Sequence, residues 1–142
     1  MFEKILYPTD FSDVSKKALE YCKKLKEAGT KEIIVVHVIE WDPNVESMPQ
    51  NMKAEFKKLL ELEPRKGLDL IKSELIESGL DVRIRLERGS PFKEILKVES
   101  EEGVSAIVIG SHGKSNIKEM VMGSVSENVV RRSRSPVLVV KR

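Results

Sequence analysis

Residues Ile33 to Ile39 read IIVVHVI, an almost continuous run of β-branched apolar side chains. Such side chains favour extended backbone, and a run without polar alternation is typical of a strand covered on both faces. Strands of this kind occur mainly in parallel sheets, where helices pack above and below. The run therefore predicts an α/β protein in which this segment is a buried parallel strand.

Four further strands are predicted around this run. Lys4 to Tyr7 and Val104 to Ile109 are short apolar segments of strand length. Val82 to Leu86 alternates apolar and charged residues, which indicates one wet face and a place at the edge of the sheet. Pro136 to Val140 (PVLVV) is the last predicted strand, because proline is tolerated as the first residue of a strand.

Helical patterns separate these strands. Ser12 is a predicted N-cap for a first helix that ends at Gly29. Ser90-Pro91 begins another helix, with proline at its first position. Ser124 to Glu127 (SVSE) matches a capping box, which predicts a short helix before the last strand.

The connection after the second strand is harder to interpret. Trp41 to Gln50 carries two prolines and no clear period, and we predict a mobile excursion there. Two helical pieces follow, one with apolar residues from Met52 to Leu60 and one from Leu68 to Ile76. Pro64 is expected to stop or kink the helix between them.

The order β-α-β-α-β-α-β-α-β predicts a doubly wound parallel sheet with right-handed crossovers. In such sheets ligands bind at the carboxyl ends of the strands, near the point where strand order reverses. Three features are expected at that rim. They are Pro8-Thr9-Asp10 after the first strand, Val38-Ile39 at the end of the second, and a glycine-containing loop after the fourth.

The composition is that of one globular domain of ordinary size, residues 1–142, with 40% hydrophobic and 34% charged residues. Twenty-five basic residues against 23 acidic ones give a net charge of +2, which provides no general attraction to nucleic acid. The basic cluster Arg131, Arg132 and Arg134 suits the end of a helix, and aromatic residues are only 5%. We therefore expect no nucleic-acid partner.

The sequence also predicts a cytoplasmic protein with no membrane association. Cys22 is the single cysteine, which excludes an internal disulfide, and its place on an apolar helical stripe predicts a buried, inert thiol. The N-terminal residues lack the basic and apolar regions of a signal peptide. No apolar run approaches the roughly 20 residues that span a bilayer.

The loop after the fourth strand contains Gly113-Lys114-Ser115, which raises the question of a Walker A phosphate loop. That motif requires another glycine five positions before Gly113, where Val108 lies inside the predicted strand. A dinucleotide fingerprint is absent as well, because its glycine spacing does not occur and it belongs after the first strand. Both motifs are rejected.

What remains is Gly110, two residues, Gly113, nine residues, and then Gly123-Ser124. Glycines at these positions would let a ligand approach the backbone, and the amides that begin the next helix favour an anion. Hydroxyls of Ser124 and Ser126 would add donors for phosphate oxygens. Three glycines can equally well end a strand and precede a helix, so the spacing alone leaves both interpretations open.

Taken together, these motifs resemble the universal stress protein family, in its ATP-binding branch. The G-2x-G-9x-G-S spacing is similar to the nucleotide-binding signature of that family. The segments KILYPTDFS, HVIE, GSHGKSN and SPVLVVKR also resemble it, and the similarity covers essentially the whole chain. The resemblance implies a single universal stress protein domain with a Rossmann-like, adenine nucleotide alpha hydrolase-like fold. Its open five-stranded parallel sheet, with helices on both faces, is predicted to have strand order 3-2-1-4-5.

The resemblance also implies a ligand, ATP, with Mg²⁺ or Mn²⁺ held through the phosphates. Asp10 and the backbone of Val38 would contact the adenine, and Pro8 and Thr9 would shape that wall. The ribose and phosphates would be held by residues of the glycine loop and the following helix. These are Gly110, Ser111, His112, Gly113, Gly123, Ser124, Val125 and Ser126.

Several of these residues have alternative roles. Asp10 could be a turn residue at the helix entry instead of a ligand contact, although its place on the rim favours the contact. His112 has no acidic partner in the sequence, so a backbone contact is favoured over general-base catalysis. His37 lies within a strand and is predicted to pack in the core. Lys114 could steady the terminal phosphate or project into solvent.

The last strand raises the question of assembly. An apolar strand at a sheet margin leaves backbone groups unpaired, and pairing residues 136–140 with the same strand of a second copy would cover them. The resemblance implies the same homodimer. The functional hypothesis is therefore an ATP-binding dimeric stress-response regulator, in which nucleotide orders Lys114 to Met122 and changes what partners contact.

Two other hypotheses remain. No nucleophile–base pair or metal-ligand cluster is visible in the sequence, so no catalytic residue and no protein metal site are predicted, and at most weak ATP hydrolysis is expected. One alternative is a slow ATPase or phosphotransfer protein that needs a partner to complete its site. The other is a structural dimer whose glycine loop binds nothing.

Overall fold

The structure, a computed structural model, describes residues 1–112 and 122–142. The strands are β1 Lys4–Pro8, β2 Glu32–Glu40, β3 Asp81–Gly89, β4 Ala106–Gly110 and β5 Val137–Val140. The helices are α1 Asp13–Lys24, α2 Pro43–Glu46, α3 Gln50–Glu77, α4 Pro91–Glu102 and α5 Ser124–Arg132, with a 3₁₀ turn Leu25–Ala28 after α1.

The five strands form one parallel sheet in the order β3-β2-β1-β4-β5. Both the α/β class and the strand order are as predicted. Strand order reverses at β1, because the chain builds outward through β2 and β3 and then returns to place β4 on the other side. β2 is longer than β1 and pairs with β3 along its full length, whereas its pairing with β1 ends at Pro8–Val36.

Among the described residues, each face of the sheet is covered by two helices and has its own core. Alternating residues of β1 show the division, since Ile5 and Tyr7 face α1 and α3 whereas Leu6 faces α4 and α5. All three side chains are fully buried. Burial on both faces explains why IIVVHVI has no polar alternation: Ile33 and Val35 belong to one core, Ile34 and Val36 to the other.

The predicted start of α1 is confirmed, and so is Gly29 as the end of the helical segment, although α1 itself ends at Lys24. The Ser12 side chain accepts a hydrogen bond from the backbone N–H of Ser15, as an N-cap does. After the 3₁₀ turn, Gly29 ends the helical segment with φ 102°, in the left-handed region that favours glycine. Cys22 is fully buried, and that burial raises the pKa of its thiol, in agreement with an inert role.

The prediction of a mobile excursion from Trp41 to Gln50 was wrong. Residues 43–46 form α2, for which Asp42 is the N-cap and accepts a hydrogen bond from Asn44 N–H. The Glu46 carboxylate then contacts the ammonium groups of Lys53 and Lys57 at 2.7 and 3.2 Å. A four-residue helix is too short to show a hydrophobic period, so the sequence pattern did not predict it.

Of the two outcomes predicted at Pro64, a stop or a kink, the stop was wrong. α3 runs through that residue as one 28-residue helix. A proline in a helix interior costs about 3 kcal/mol relative to alanine. Burial of Leu68 and Leu75 against the sheet offsets this cost, because packing of an apolar face contributes more to helix stability than propensity does.

The two edges of the sheet differ in how they are covered. β3 is one edge, as its alternating pattern predicted, and Arg83 and Arg85 on it contact the carboxylate of Glu102 in α4 at 2.6 and 3.2 Å. β5 is the other edge, and Leu138 on it is 41% exposed. Within residues 1–112 and 122–142, none of the helices is long and apolar enough to cross a membrane.

The Tyr7 hydroxyl links β1 to α1 and gives a test of the core. It donates to the Ser15 carbonyl at 2.6 Å, and burial raises its pKa from 10.0 to about 12. A raised pKa in the folded state means that the stabilisation is complete below pH 10 and is lost as the pH rises through 12. The wild type should lose up to roughly 2.7 kcal/mol over this interval.

The matched variant is Tyr7→Phe, which lacks the titrating group. We expect it to be about 1 kcal/mol less stable at pH 7, because the hydrogen bond is gone. The difference between the two free energies of unfolding should narrow above pH 10 and change sign by pH 11.5, since the wild type loses more than about 1 kcal/mol by then. Urea denaturation at pH 7, 9 and 11.5 measures both effects, and parallel stability curves over this range would contradict the assignment.

Candidate functional site

A cavity of about 570 Å³ opens at the carboxyl ends of β1, β2 and β4, where strand order reverses. This is the position at which open parallel sheets bind ligands. Ten of the eleven predicted site residues that the structure describes line it. They are Pro8, Thr9, Asp10, Val38, Gly110, His112, Gly123, Ser124, Val125 and Ser126.

The wall after β1 is built by a hydrogen-bonded turn. The Thr9 hydroxyl oxygen accepts from the Phe11 N–H at 3.0 Å and from the Ser15 hydroxyl at 2.7 Å. The Asp10 carboxylate accepts from the Ser12 N–H at 3.0 Å. Asp10 therefore belongs to the helix-entry turn and also lines the cavity, so the two roles considered for it are compatible.

Phe11 holds this turn against α3. Its φ is 64°, an uncommon conformation for a residue with a bulky side chain. Its ring lies 4.7 Å from the His37 ring and packs on Gly67, where an added Cβ would lie 2.6 Å from the Phe11 ring. The absence of a side chain at Gly67 is what admits the ring.

His37 is not the packed core residue that its mid-strand position predicted. It is partly exposed and lines the cavity. Its Nδ1 lies 2.7 Å from the Thr9 carbonyl oxygen, and because a carbonyl can only accept, Nδ1 carries the proton. His37 thus connects β2 to the turn after β1. Its nearness to the carboxyl end of β2 was the signal that could have placed it at the site.

Gly110 lines the cavity, but its lack of a side chain has another explanation than ligand approach. A Cβ at this position would lie 2.9 Å from Val14 Cγ1 and 3.1 Å from the Val14 carbonyl carbon in α1. Close packing of β4 on the first turn of α1 therefore requires the glycine. The approach of a ligand to the backbone at Gly110 stays a prediction.

Ser111 joins the end of β4 to the start of α5. It is fully buried and does not line the cavity. Its N–H donates to the Val140 carbonyl at 2.8 Å, and its own carbonyl accepts from Gly123 N–H at 2.6 Å and the Ser126 hydroxyl at 2.7 Å. The Ser126 hydroxyl hydrogen is thus directed to the backbone, and its role as a phosphate donor stays a prediction.

The start of α5 also differs from the predicted capping box. The N-cap is Gly123, with φ −77° and ψ 166°, and Ser124 is the first helical residue. The Glu127 N–H donates to the Gly123 carbonyl, and this hydrogen bond is the first one within the helix. The amides of the first turn therefore have no intrahelical acceptor, and together with the helix dipole they favour an anion at this end of the cavity.

Three sequence predictions lie outside the described residues. These concern Gly113 as a ligand contact, Lys114 as a phosphate contact or solvent-exposed residue, and the segment after Lys114 as an element ordered by nucleotide. Met122, the last residue of that segment, is described and is partly exposed.

Sequence reasoning missed the side walls of the cavity. Leu60 and Pro64 of α3, and Pro91 and Ile95 of α4, line it together with Ser15 of α1. These residue types are common at the starts of helices and in hydrophobic cores, so they do not by themselves indicate a binding site. Only the packing of the helices on the sheet brings them to the cavity, so no sequence pattern marked them.

The comparisons with known proteins identify the family. The model of the universal stress protein family matches residues 1–141, and the chain belongs to that family. It is 38% identical to universal stress protein MJ0577 of Methanocaldococcus jannaschii, over 100% of this chain and 96% of the relative. It is 34% identical to universal stress protein YxiE of Bacillus subtilis, over 99% and 100%.

Solved structures agree with the fold. A structure of MJ0577 superimposes with a TM-score of 0.90 at 42% identity, covering 100% of this chain and 97% of that one. Two more distant structures show the same fold. One is a universal stress protein in complex with cAMP (22% identity, TM-score 0.67, 99% and 98% coverage). The other is the Archaeoglobus fulgidus protein in complex with dAMP (20%, 0.68, 99% and 98%).

The packing role of Gly110 gives a direct test. Gly110→Ala should lower the free energy of unfolding by about 1–3 kcal/mol, because its Cβ would press on the α1 backbone. Ser124→Ala, at an exposed position of the same cavity, should change it by less than about 0.5 kcal/mol. Urea denaturation compares the two. An unchanged stability of Gly110→Ala would show that α1 can move away and that packing does not require the glycine.

Proposed function

We propose that the chain binds ATP in this cavity and acts as a dimeric regulator whose interactions depend on the bound nucleotide. The observation that carries the proposal is the convergence of four separate segments on one cavity. The turn after β1, the end of β2, the end of β4 and the start of α5 all line it. Its volume of about 570 Å³ lies within the range of small-molecule sites.

The end of β2 offers a backbone edge for the adenine. The Val36 carbonyl accepts from Thr9 N–H, which is the last hydrogen bond between β2 and the β1 side. Backbone groups of a strand point to the same side every second residue, so the N–H and C=O of Val38 also face the β1 side. β1 has ended there. The Val38 N–H can donate to the N1 atom of adenine, and the Val38 C=O can accept from its 6-amino group.

The opposite end of the cavity suits the phosphates. The first amides of α5 have no intrahelical acceptors, and the helix dipole adds a partial positive charge. The Ser124 side chain is exposed at this end and is available as a further donor. Mg²⁺ or Mn²⁺ would be held through the phosphate oxygens and would neutralise part of their charge.

The relatives support an adenine nucleotide. The cAMP and dAMP complexes are complexes of other members of the family, and both ligands contain adenine and a phosphate. This chain has the cavity, the backbone edge of β2 and the helix start that such a ligand requires. For the regulatory part of the proposal, nucleotide binding would order the segment from Lys114 to Met122 and alter the surface offered to partners.

Titration calorimetry of the purified protein with ATP and Mg²⁺ tests the binding. Measuring the phosphate released during prolonged incubation tests whether the protein binds ATP as a regulator or hydrolyses it. We expect one nucleotide per chain and little turnover. Many turnovers per chain would instead support the alternative of a slow ATPase or phosphotransfer protein. No binding of any adenine nucleotide would leave a structural dimer.

Gly123→Val is the sharpest variant for the phosphate end. The backbone angles of Gly123 suit valine, so the fold should be retained, while the side chain would obstruct the approach to the α5 amides. Losing two or more hydrogen bonds to a charged group should weaken ATP binding at least about 100-fold.

Ser124→Ala is the control for this variant. It removes one hydroxyl but leaves the amides accessible, so ATP binding should weaken only a few-fold. Circular dichroism confirms folding of both variants. Unchanged affinity of Gly123→Val would place the phosphates elsewhere.

The dimer is proposed to form through β5. The carbonyls of Pro136 and Val140 accept from the N–H groups of Ile107 in β4 and of Ser111 directly after it. By two-residue alternation, Val137 and Val139 point their backbone groups to the open edge, where a second copy of β5 would pair with them.

Val139→Pro therefore removes an outward N–H without touching the bonds to β4, and we expect it to convert the dimer to a monomer. Val139→Ala also loses the valine side chain but keeps the N–H, so this variant should remain dimeric. Sedimentation equilibrium distinguishes the two states. A dimeric Val139→Pro, or a monomeric wild type, would exclude this interface.

A further inference from the structure

Pro64 occupies an unusual place for a proline. It lies in the interior of the continuous helix α3, and both it and Leu60, one turn earlier, line the cavity. Residue 64 of an α-helix normally donates its N–H to the carbonyl of residue 60, but proline has no N–H and its ring pushes that carbonyl aside. The Leu60 carbonyl therefore cannot accept the bond that residue 64 would normally provide.

A neighbouring carbonyl in the same helical turn already accepts a donor from outside the helix. Arg88 Nη2 of β3 donates to the Lys57 carbonyl at 2.7 Å and lies 3.4 Å from the Glu61 carboxylate. The Lys57 carbonyl, three residues before that of Leu60, is thus directed toward a group beyond its own helix. The contact also locates the turn beside the carboxyl end of β3.

That location determines which part of a nucleotide would meet Leu60. The carboxyl ends of β3 and β2 lie on one side of β1, and β4 with α5 lies on the other. The phosphates are proposed to bind at α5, and the base at Val38. Leu60 and Pro64 therefore lie at the base end of the cavity.

We propose that the Leu60 carbonyl accepts a hydrogen bond from the exocyclic 6-amino group of the bound purine, and that Pro64 makes this acceptor available. The amino group has two hydrogens, of which the Val38 carbonyl takes one. A purine with a 6-oxo group, such as guanine or hypoxanthine, would place its oxygen against two carbonyl oxygens and be rejected. This inference rests on the proposed function and names Pro64 as a specificity-determining residue.

The experiment compares ATP with purine riboside 5′-triphosphate, which lacks only the 6-amino group. Titration calorimetry measures both ligands on the wild type, on Pro64→Ala and on Pro91→Ala. Pro64→Ala restores an N–H for the Leu60 carbonyl. Pro91→Ala shortens another proline of the cavity wall, at the first position of α4, and leaves α3 unchanged.

We expect the wild type to bind ATP roughly tenfold or more tighter than the analogue, since two hydrogen bonds distinguish them. In Pro64→Ala this preference should fall about three- to tenfold, while the melting temperature rises because the helical bond is restored. Pro91→Ala should weaken both ligands equally and keep the preference. A general loss of packing at Pro64 would also weaken both ligands equally.

The outcomes separate this inference from the proposed function. A wild type that binds both triphosphates with equal affinity, or an unchanged preference in Pro64→Ala, would overturn the role of Leu60 and leave ATP binding intact. A wild type that binds neither ligand would overturn the proposed function and this inference with it. A preference that falls in Pro64→Ala but not in Pro91→Ala supports both.

Discussion

The position of β1 between β2 and β4 is the constraint on which the rest of the structure depends. β1 pairs with β2 over Lys4 to Pro8 and with β4 on its other side, so the direction of building reverses there. β1 also ends early, because Pro8 is followed by the turn at Thr9 and Asp10, while β2 continues to Glu40. A crevice between the strand ends follows from this difference in length, and the cavity is that crevice closed by helices.

Hydrogen bonds couple this crevice to the core of the protein. The Tyr7 hydroxyl contacts Ser15, the Ser15 hydroxyl donates to Thr9, and the Thr9 carbonyl accepts from His37. These residues belong to β1, the turn after it, α1 and β2, so the cavity wall is held by the same contacts that join the first helix to the sheet. A wall fixed in this way is organised before a ligand arrives, which reduces the entropic cost of binding.

Two of the corrected predictions share one physical cause. The capping box at Ser124 and the core role of His37 were each inferred from local chain pattern. Each was overruled by a contact between residues far apart in sequence: Gly123 with Ser111, and His37 with Thr9. A local pattern predicts where a strand ends or a helix begins, because those depend on neighbouring residues. It does not contain the distance between two elements, so it cannot show which groups meet.

The sequence by itself determined the positions of the strands, their parallel direction and the edge of the sheet, at the carboxyl ends of the strands, on which the candidate site lies. Strand burial and the alternation of strands with helices both follow from the order of residue types along the chain. The apolar run IIVVHVI already indicates a buried strand. Only the tertiary structure decided that Gly110 serves helix packing, that Ser126 serves the backbone, and that α3 supplies Leu60 and Pro64 to the cavity. Those roles depend on how closely a helix approaches the sheet, and that distance is set by the packed side chains of the whole core.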